Sequence, residues 1–171
     1  MVTTETIKEL RSITGAGIMD CKRALQQAKG DMGGAAEILR QQGYAKAEKK
    51  AHREAREGLV EVYIHTGGRI GAMVEVNCES DFVARTDDFK KLAHDIAMQV
   101  TATDPRYVCR DDIPDDETAD KDADPSQLCL LSQPFIRDPQ KNIQDIITEI
   151  VAKVGENIKV RRFARFELGK D

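Results

Sequence analysis

The spacing of apolar residues changes at Gly58, and this change restricts the chain to folds that contain both helices and strands. Before Gly58, apolar residues recur at i, i+3, i+4 and i+7, the spacing of an amphipathic helix. One such stripe consists of Cys21, Ala24, Leu25 and Ala28. After Gly58, residues 59–64 and 70–76 form β-rich runs, and the glycine-containing residues 66–69 between them predict a hairpin. The sequence therefore predicts an α+β protein.

The first part of the chain predicts a small helical domain. Residues 4–43 are typical of three short helices separated by glycine turns, in which Gly30 ends the second helix and Asp31 caps the third. Gly43 is expected to close the third helix, and a charged connecting helix is expected over residues 44–57. We therefore divide the chain into a helical domain at 1–43, the connecting helix at 44–57, and an α+β core domain at 58–171.

The core domain is predicted to be a three-stranded antiparallel sheet packed with helices. Amphipathic stripes indicate helices near residues 89–100 and 143–151, and residues 158–168 alternate as the third strand. Strict alternation would bury one face of that strand, and it would place Arg162 on the buried face, which requires a bulge or a buried ion pair. The expected buried face consists of Ile158, Val160, Ala164, Phe166 and Leu168.

Residues 110–126 carry a concentrated negative charge. Eight acidic residues stand against Arg110 and Lys121, a local net charge of −6, and two prolines interrupt the segment. This composition predicts an acidic loop or a disordered insert. The whole chain has a net charge of −4, so its overall charge gives it no attraction to nucleic acid.

The sequence lacks the common motifs of enzymes, so an enzyme is not expected. The sequence has no phosphate-binding glycine loop, no dinucleotide fingerprint and no serine nucleophile motif. Its three histidines are isolated, so neither a metal site nor a cofactor is expected. Four widely spaced cysteines are typical of free thiols in a reducing compartment. No membrane span or signal peptide is expected, and the chain is predicted to be cytoplasmic, with an organelle matrix as the alternative.

The last strand suggests an alternative function. Arg161, Arg162 and Arg165 alternate with Phe163 and Phe166, a pattern that resembles strands that stack bases and contact phosphates. The glycine-aromatic order of an RNA-recognition motif is missing. RNA binding is therefore kept as the second candidate function, and an ordinary paired strand with charged edges is favoured.

The segment at residues 78–85 is the strongest functional candidate. It lies where the second strand ends and a helix begins, and it combines Ser80, Asp81 and Phe82. Ser80 or Asp81 could cap the helix while Phe82 packs the helix against the sheet. Alternatively, Phe82 points away from the core, toward a partner. The residue types alone leave both alternatives open.

Three segments of the chain resemble the bacterial translation elongation factor Ts family, the nucleotide exchange factors for elongation factor Tu. Residues 7–22 are similar to the family's amino-terminal signature, residues 74–85 to its central motif, and residues 154–163 to its closing strand. The resemblance implies a ubiquitin-associated-like helical domain followed by a core module. The implied partner is elongation factor Tu, in its GDP-bound and nucleotide-free forms, with no direct nucleic-acid or membrane partner.

The resemblance also implies which residues act. Arg11, Ile18 and Met19 match the region that contacts the GTPase domain of elongation factor Tu. Asp81 and Phe82 are expected to act near the partner's magnesium and phosphate site and so promote GDP release. The resemblance places Ser80 and Val83 beside them. His65, at the hairpin turn, is similar to a position that touches another domain of the partner.

Two departures from the family pattern bear on these expectations. Ser80 stands where the family usually has Thr, and both residues carry a capping hydroxyl. The short acidic segment takes the place of a longer insertion, which leaves one core module, so a homodimer could supply two. Ala164 occupies the position of a cysteine that can bridge such dimers.

Overall fold

The structure, a computed structural model, describes residues 2–170 and divides them into two compact units. The first unit contains the described residues up to Arg53 together with Thr148–Asn157, and the second contains Glu54–Ile147 and the residues from Ile158 onward. Residues 1 and 171, which the predicted domain ranges include, lie outside the described residues. No helix among residues 2–170 is long and apolar enough to cross a membrane.

The first unit is built from three helices and the second half of a fourth. Helix α1 spans Thr4–Thr14, α2 spans Ile18–Gln27, α3 spans Met32–Lys50, and α8 spans Ile143–Val154. Asp31 caps α3, because its carboxylate accepts the Gly34 N–H at 2.6 Å. The predicted apolar stripes do meet in one core, whose fully buried or nearly buried members are Leu10, Cys21, Ala24, Leu25, Ala35 and Leu39.

The expectation that Gly43 ends the third helix is wrong, because α3 continues to Lys50. Gly43 is buried inside α3, where an added Cβ would lie 3.7 Å from both Ala152 and Thr148 of α8. The glycine therefore permits two helices to approach closely. The predicted helix over 44–57 is also too long, and the chain turns after Lys50. Asn157 Nδ2 stabilises this turn by donating to the carbonyls of Ala51 and Arg53, at 3.3 and 2.7 Å.

The second unit confirms the predicted three-stranded antiparallel sheet. Strand β1 spans Glu57–Ile64, β2 spans Ile70–Cys78 and β5 spans Lys159–Glu167, and their order is β1-β2-β5. Helix α5, Asp87–Thr103, packs against this sheet. Phe89, Leu92 and Ile96 of α5 are buried, and so are Val74 and Val76 of β2. Helix and sheet therefore share one apolar core.

Of the two alternatives expected at Arg162, a bulge or a buried ion pair, β5 has the bulge, which reverses the faces of the strand. Glu75 pairs with Arg162 while Val76 pairs with Val160, so Arg161 is the extra residue. Ile158 and Val160 are buried as predicted, but Phe166 and Leu168 are 72% and 66% exposed. The expectation that all five alternating residues share a buried face is therefore wrong after the bulge.

The acidic segment is folded into short helical pieces, which corrects the expectation of a loop or disordered insert. A 3₁₀ turn covers Arg110–Asp112, α6 covers Thr118–Asp122, and α7 covers Pro125–Leu128. Asp120 is held by the Tyr107 hydroxyl at 2.8 Å and by the Arg106 guanidinium. These contacts hold part of the acidic segment against its own unit. A second sheet that the sequence did not predict follows, in which β3, Pro134–Phe135, pairs with β4, Asp138–Asn142.

Candidate functional site

The candidate site is the corner at which β2 ends and a one-turn helix, α4 (Asp81–Ala84), begins. Ser80 is the N-cap of α4, since its hydroxyl accepts the Val83 N–H at 3.3 Å. Just before it, the buried Cys78 thiol donates to the Ser80 carbonyl at 3.1 Å. The backbone entering α4 is therefore fixed on both sides of Ser80.

Phe82 projects from this corner into solvent. It is 77% exposed, whereas Val83 and Ala84 are only 5% and 8% exposed. Val83 and Ala84 thus anchor the short helix, and the turn of the helix leaves Phe82 on the outside. The alternative in which Phe82 packs the helix against the sheet does not fit this exposure. An aromatic ring exposed to this degree on a fixed backbone is a feature of protein-contact sites.

Asp81 lies beside Phe82 and is also exposed. Its carboxylate forms an ion pair with Arg85 at 2.7 Å, and the two side chains are 62% and 78% exposed. Such a pair in water contributes little to stability, so it can open when a partner approaches. The chain then turns directly into α5, because Thr86 caps that helix by accepting the Phe89 N–H at 3.3 Å.

The predicted contact residues of the first unit lie around the connection between α1 and α2. Ile18 and Met19 begin α2 and are 54% and 62% exposed, and Arg11 lies in the last turn of α1. The sequence analysis missed Ile13, which is 67% exposed on α1. Its signal is an apolar residue in the last turn of α1 that lies outside the buried stripe. Ile13, Ile18 and Met19 are thus exposed apolar residues at the two ends of the α1–α2 connection, and we call them the α1–α2 patch.

The carboxylate next to this patch is held in its charged form. Asp20 forms ion pairs with Arg23 and with Lys46, the latter at 3.1 Å. The hydrogen bond from Arg23, followed by the one from Lys46, holds the pKa of Asp20 below its ordinary value. Lys46 belongs to the part of α3 beyond Gly43. The unexpected length of α3 therefore contributes a cation beside the α1–α2 connection.

His65 is exposed and stands at the first position of the turn between β1 and β2. Its N–H donates to the Ile70 carbonyl and its carbonyl accepts from the Gly68 N–H, both at 2.9 Å. These bonds fix the backbone of the turn. The imidazole lies with Nδ1 3.2 Å from the Tyr63 hydroxyl.

Between residues 2 and 170, no group of three or more His, Cys, Asp or Glu side chains could hold a metal ion. The exposed groups at the corner, at the α1–α2 connection and at the hairpin turn are an aromatic ring, short apolar chains and single charges. Such groups are suited to contact with another macromolecule.

Comparison with known proteins identifies the family. The family model described as elongation factor TS matches residues 5–124, a range that contains all of the candidate residues above. The chain belongs to the elongation factor Ts family. The elongation factor Ts of Carboxydothermus hydrogenoformans is 51% identical to it, over 99% of this chain and 90% of that protein. The elongation factor Ts of Heliobacterium modesticaldum is 50% identical, over 99% of this chain and 91% of that protein.

The elongation factor Ts of Thermoanaerobacter sp. is 47% identical, over 99% of this chain and 96% of that protein. All three relatives are thus covered over nearly their whole length. The alignment with the Carboxydothermus elongation factor Ts runs over 197 positions, whereas this chain has 171 residues. The difference between 197 and 171 leaves at least 26 positions without a counterpart here. This chain is therefore a short member of the elongation factor Ts family within the aligned region.

Proposed function

We propose that this chain is a guanine nucleotide exchange factor for elongation factor Tu that acts in translation elongation. The observation that carries the proposal is Phe82, an exposed aromatic side chain on a capped corner, in a chain that belongs to the elongation factor Ts family. The partner is elongation factor Tu in its GDP-bound and nucleotide-free forms. The chain needs no cofactor and catalyses no covalent step in this role.

An exchange factor of this kind works by thermodynamic linkage. It binds the nucleotide-free partner more tightly than the nucleotide-bound partner, and it lowers the partner's affinity for the nucleotide by the same factor. Lowering the affinity for GDP by 10⁴-fold requires about 5.5 kcal/mol of differential binding. Burying one Phe contributes only about 1.5–3 kcal/mol. Phe82 alone is therefore insufficient, and other contacts have to hold the complex together.

We assign the contacts to two roles. Arg11, Ile18 and Met19 bind the partner through the first unit, and His65 adds a contact from the hairpin turn. These contacts anchor the complex. The corner then acts on the partner, with Phe82 wedged near the magnesium and phosphate site and Asp81 beside it. Ser80 and Val83 hold the corner in shape by capping and by burial.

The test is release of a fluorescent GDP analogue from elongation factor Tu. A small amount of this chain, relative to elongation factor Tu, is expected to accelerate release, and each molecule is expected to act many times. Ile18→Ala/Met19→Ala should raise the concentration needed for half-maximal acceleration, because it removes anchoring contacts. Ile136→Ala, a change at an exposed apolar residue of the β3–β4 connection, is the control and should leave release unchanged. Failure of the unaltered chain to accelerate release would contradict the proposal.

The RNA-binding alternative is less well supported by the charges on β5. Glu75 lies 2.7 Å from Arg162 and 3.8 Å from Arg161, so one carboxylate neutralises part of this basic strand. The hydrogen bond from Arg162 also lowers the pKa of Glu75, which keeps its carboxylate charged near neutral pH. Phosphate binding would show a steep loss of affinity with salt. A shallow salt dependence together with release of GDP would reject the alternative.

We also propose that the outer face of the three-stranded sheet binds a second copy of this chain. Val62, Met73 and Ala164 lie side by side across the three strands in its centre, and the first two are 49% and 45% exposed. Phe166 and Leu168 extend the apolar surface, which includes a shallow groove of about 580 Å³. The other exposed apolar members are Val60 and Ile64.

A second copy fits this face because the face is apolar at its centre and has charges of both signs at its edge. In a two-fold contact each patch meets itself, so an apolar centre covers an apolar centre. The Glu75–Arg162 pair at the edge can then meet its own copy with opposite charges facing. A sheet of three strands, each about eight residues long, has a face of roughly 400 Å². That is about half of a standard interface per partner, so we expect a weak dimer.

Sedimentation at increasing protein concentration tests the dimer. The unaltered chain is expected to change from monomer to dimer with concentration, and Val62→Lys should remain monomeric. Ile136→Lys adds the same charge to an exposed apolar position outside the sheet face, and it should behave like the unaltered chain. A monomer at all concentrations, or equal dimerisation of Val62→Lys, would contradict this assignment.

The compartment that we propose is the cytoplasm. All four cysteines are free thiols, and three of them are buried, which is the usual state in a reducing compartment.

A further inference from the structure

Four polar side chains on one side of the second unit form a continuous series that ends at His65. Glu61 Oε1 lies 3.1 Å from His94 Nδ1. The His94 ring packs edge-to-face on Tyr63, with 5.6 Å between ring centroids. The Tyr63 hydroxyl lies 3.2 Å from His65 Nδ1. The function described above uses only the last member of this series.

The fold fixes the first three members more firmly than the fourth. Glu61 and Tyr63 are two residues apart on β1, so they share the sheet face against which α5 packs, and α5 supplies His94. His65 lies beyond the end of β1. Its backbone is held by the turn, but its imidazole is exposed. The contact between the Tyr63 hydroxyl and Nδ1 therefore orients the ring.

The hydrogen atoms in this series can be assigned from the chemistry of the groups. A carboxylate only accepts hydrogen bonds. His94 Nδ1 therefore carries a hydrogen and donates a hydrogen bond to Glu61 Oε1. A phenol hydroxyl can donate or accept, and a neutral imidazole has one donor and one acceptor nitrogen. When the Tyr63 O–H donates to His65 Nδ1, the proton of the imidazole resides on Nε2. The Nε2–H of the exposed His65 ring then takes no part in the series of contacts described above.

We propose that Tyr63 is a positioning residue for His65. It holds the imidazole through Nδ1, so that Nε2–H is presented as a hydrogen-bond donor to an acceptor on the partner, such as a backbone carbonyl or a carboxylate. Glu61 and His94 support Tyr63 from the opposite side, through the hydrogen bond between Glu61 and His94 and the contact of the His94 ring with Tyr63. This inference rests on the proposed function, in which His65 contacts elongation factor Tu.

One test needs no partner. Long-range ¹H–¹⁵N spectra distinguish the two nitrogens of each histidine. In the unaltered chain, at a pH where His65 is neutral, the His65 spectrum is expected to show a protonated Nε2 and an unprotonated Nδ1. Tyr63→Phe keeps the ring that packs on His94 and removes only the hydroxyl, so the His65 Nδ1 signal should shift while the His94 signals stay in place. A protonated Nδ1 on His65 in the unaltered chain, or no shift on Tyr63→Phe, would overturn the proposal.

The second test is a double-mutant cycle on the affinity for nucleotide-free elongation factor Tu. Tyr63→Phe is expected to weaken binding by about 2- to 10-fold, the range for one net hydrogen bond. In a His65→Ala background the same change should have no effect, because a positioning residue acts only through the residue that it positions. Equal losses in both backgrounds would overturn the proposal.

The two tests separate the failure of this inference from the failure of the function. If His65→Ala leaves binding unchanged, the contact of His65 with the partner is wrong. The nitrogen spectra still decide whether Tyr63 holds the ring. If His65→Ala weakens binding but Tyr63→Phe does not, the contact stands and the positioning role is wrong.

Discussion

Phe82 is exposed because its neighbours take the buried positions. A single helical turn has one side that can face the core, and Val83 and Ala84 occupy it. Ser80 and Thr86 cap α4 and α5 in succession, so the backbone on both sides of Phe82 is held by side-chain hydrogen bonds. At the scale of the residue, the two caps thus fix the backbone that carries one exposed aromatic ring.

Removing the cap at Ser80 should destabilise α4. Ser80→Ala is expected to cost about 1 kcal/mol of helix stability, since the Val83 N–H loses its acceptor. Hydrogen exchange of the Val83 amide should accelerate by about five-fold, the factor that corresponds to 1 kcal/mol. Ser80→Thr keeps a capping hydroxyl and is the control, which should exchange at the rate of the unaltered chain. An unchanged Val83 amide in Ser80→Ala would show that the cap does not hold α4.

At the scale of the element, glycines decide where the backbone can go. Gly58 has a φ of +141°, and an added Cβ would lie 2.1 Å from the Val76 carbonyl oxygen on the neighbouring strand. Gly67, in the turn between β1 and β2, has a φ of +95° and nothing within 4 Å of its Cβ position. The two positions therefore share an unfavourable φ for other residues, but only Gly58 is also enclosed by backbone.

This difference makes a matched pair of substitutions informative. Gly67→Ala should cost about 1 kcal/mol of unfolding free energy, from strain alone. Gly58→Ala should cost at least about 3 kcal/mol, because the strand pair has to separate to admit the methyl group. Urea unfolding followed by circular dichroism measures both. Similar costs for the two variants would contradict the close approach of β1 and β2 at Gly58.

The extended α3 makes the first unit sensitive to acid. Asp20 of α2 pairs with Lys46 of α3, and its pKa is held below the ordinary value of 3.8 by Arg23 and Lys46. A carboxylate whose pKa is lowered by folding adds stability that is present above the unfolded value and is lost as the pH falls through the folded value. Asp20→Asn should therefore be less stable than the unaltered chain at neutral pH, and the difference should shrink below about pH 4.

Urea unfolding over a series of pH values checks this prediction. Glu54→Gln provides a control, because Glu54 forms its ion pair with the nearby, highly exposed Arg56 and this pair links no two helices. Its stability should follow that of the unaltered chain. A difference between Asp20→Asn and the unaltered chain that stays constant down to low pH would exclude Asp20 as the titrating group.

Much of the fold could be predicted from local signals, and the failures have physical causes outside them. The hairpin, the cap at Asp31 and the buried stripe of α2 follow from neighbouring residues. The predicted cap at Gly30 is wrong, because α2 ends at Gln27 and Ala28 is its C-cap. Gly43 is inside a helix because a distant segment, around Ala152, packs on it. Phe166 is exposed because a single bulge at Arg161 reverses the strand. Neither cause is visible within a few residues of the position concerned.

The candidate site was predictable to a similar extent. The sequence located the corner but left the direction of Phe82 open, since capping and packing are both compatible with its residue types. The structure gives that direction through the burial of Val83. The role of each residue toward elongation factor Tu rests on the family and stays a proposal. The contact between Tyr63 and His65 requires the hairpin geometry, which residue spacing alone does not supply.

At the scale of the whole molecule, the proposed contacts are spread over both compact units. The first unit carries Arg11, Ile18 and Met19, and the second carries the corner and the hairpin turn. The differential binding that a 10⁴-fold weakening of GDP binding requires, about 5.5 kcal/mol, exceeds the roughly 1.5–3 kcal/mol gained by burying one large apolar side chain. We therefore expect that substitutions can alter affinity and release rate separately.

The most direct test measures both quantities on Phe82→Ala. Its affinity for nucleotide-free elongation factor Tu is measured by titration, and its effect on GDP by stopped-flow release of a fluorescent analogue at saturating concentration. We expect a large loss of the release rate with a much smaller loss of affinity, and an unchanged fold, since Phe82 is 77% exposed. Ile136→Ala, the control, should change neither quantity. Equal losses of affinity and rate in Phe82→Ala would contradict the division of labour, and an unchanged release rate would remove Phe82 from the mechanism.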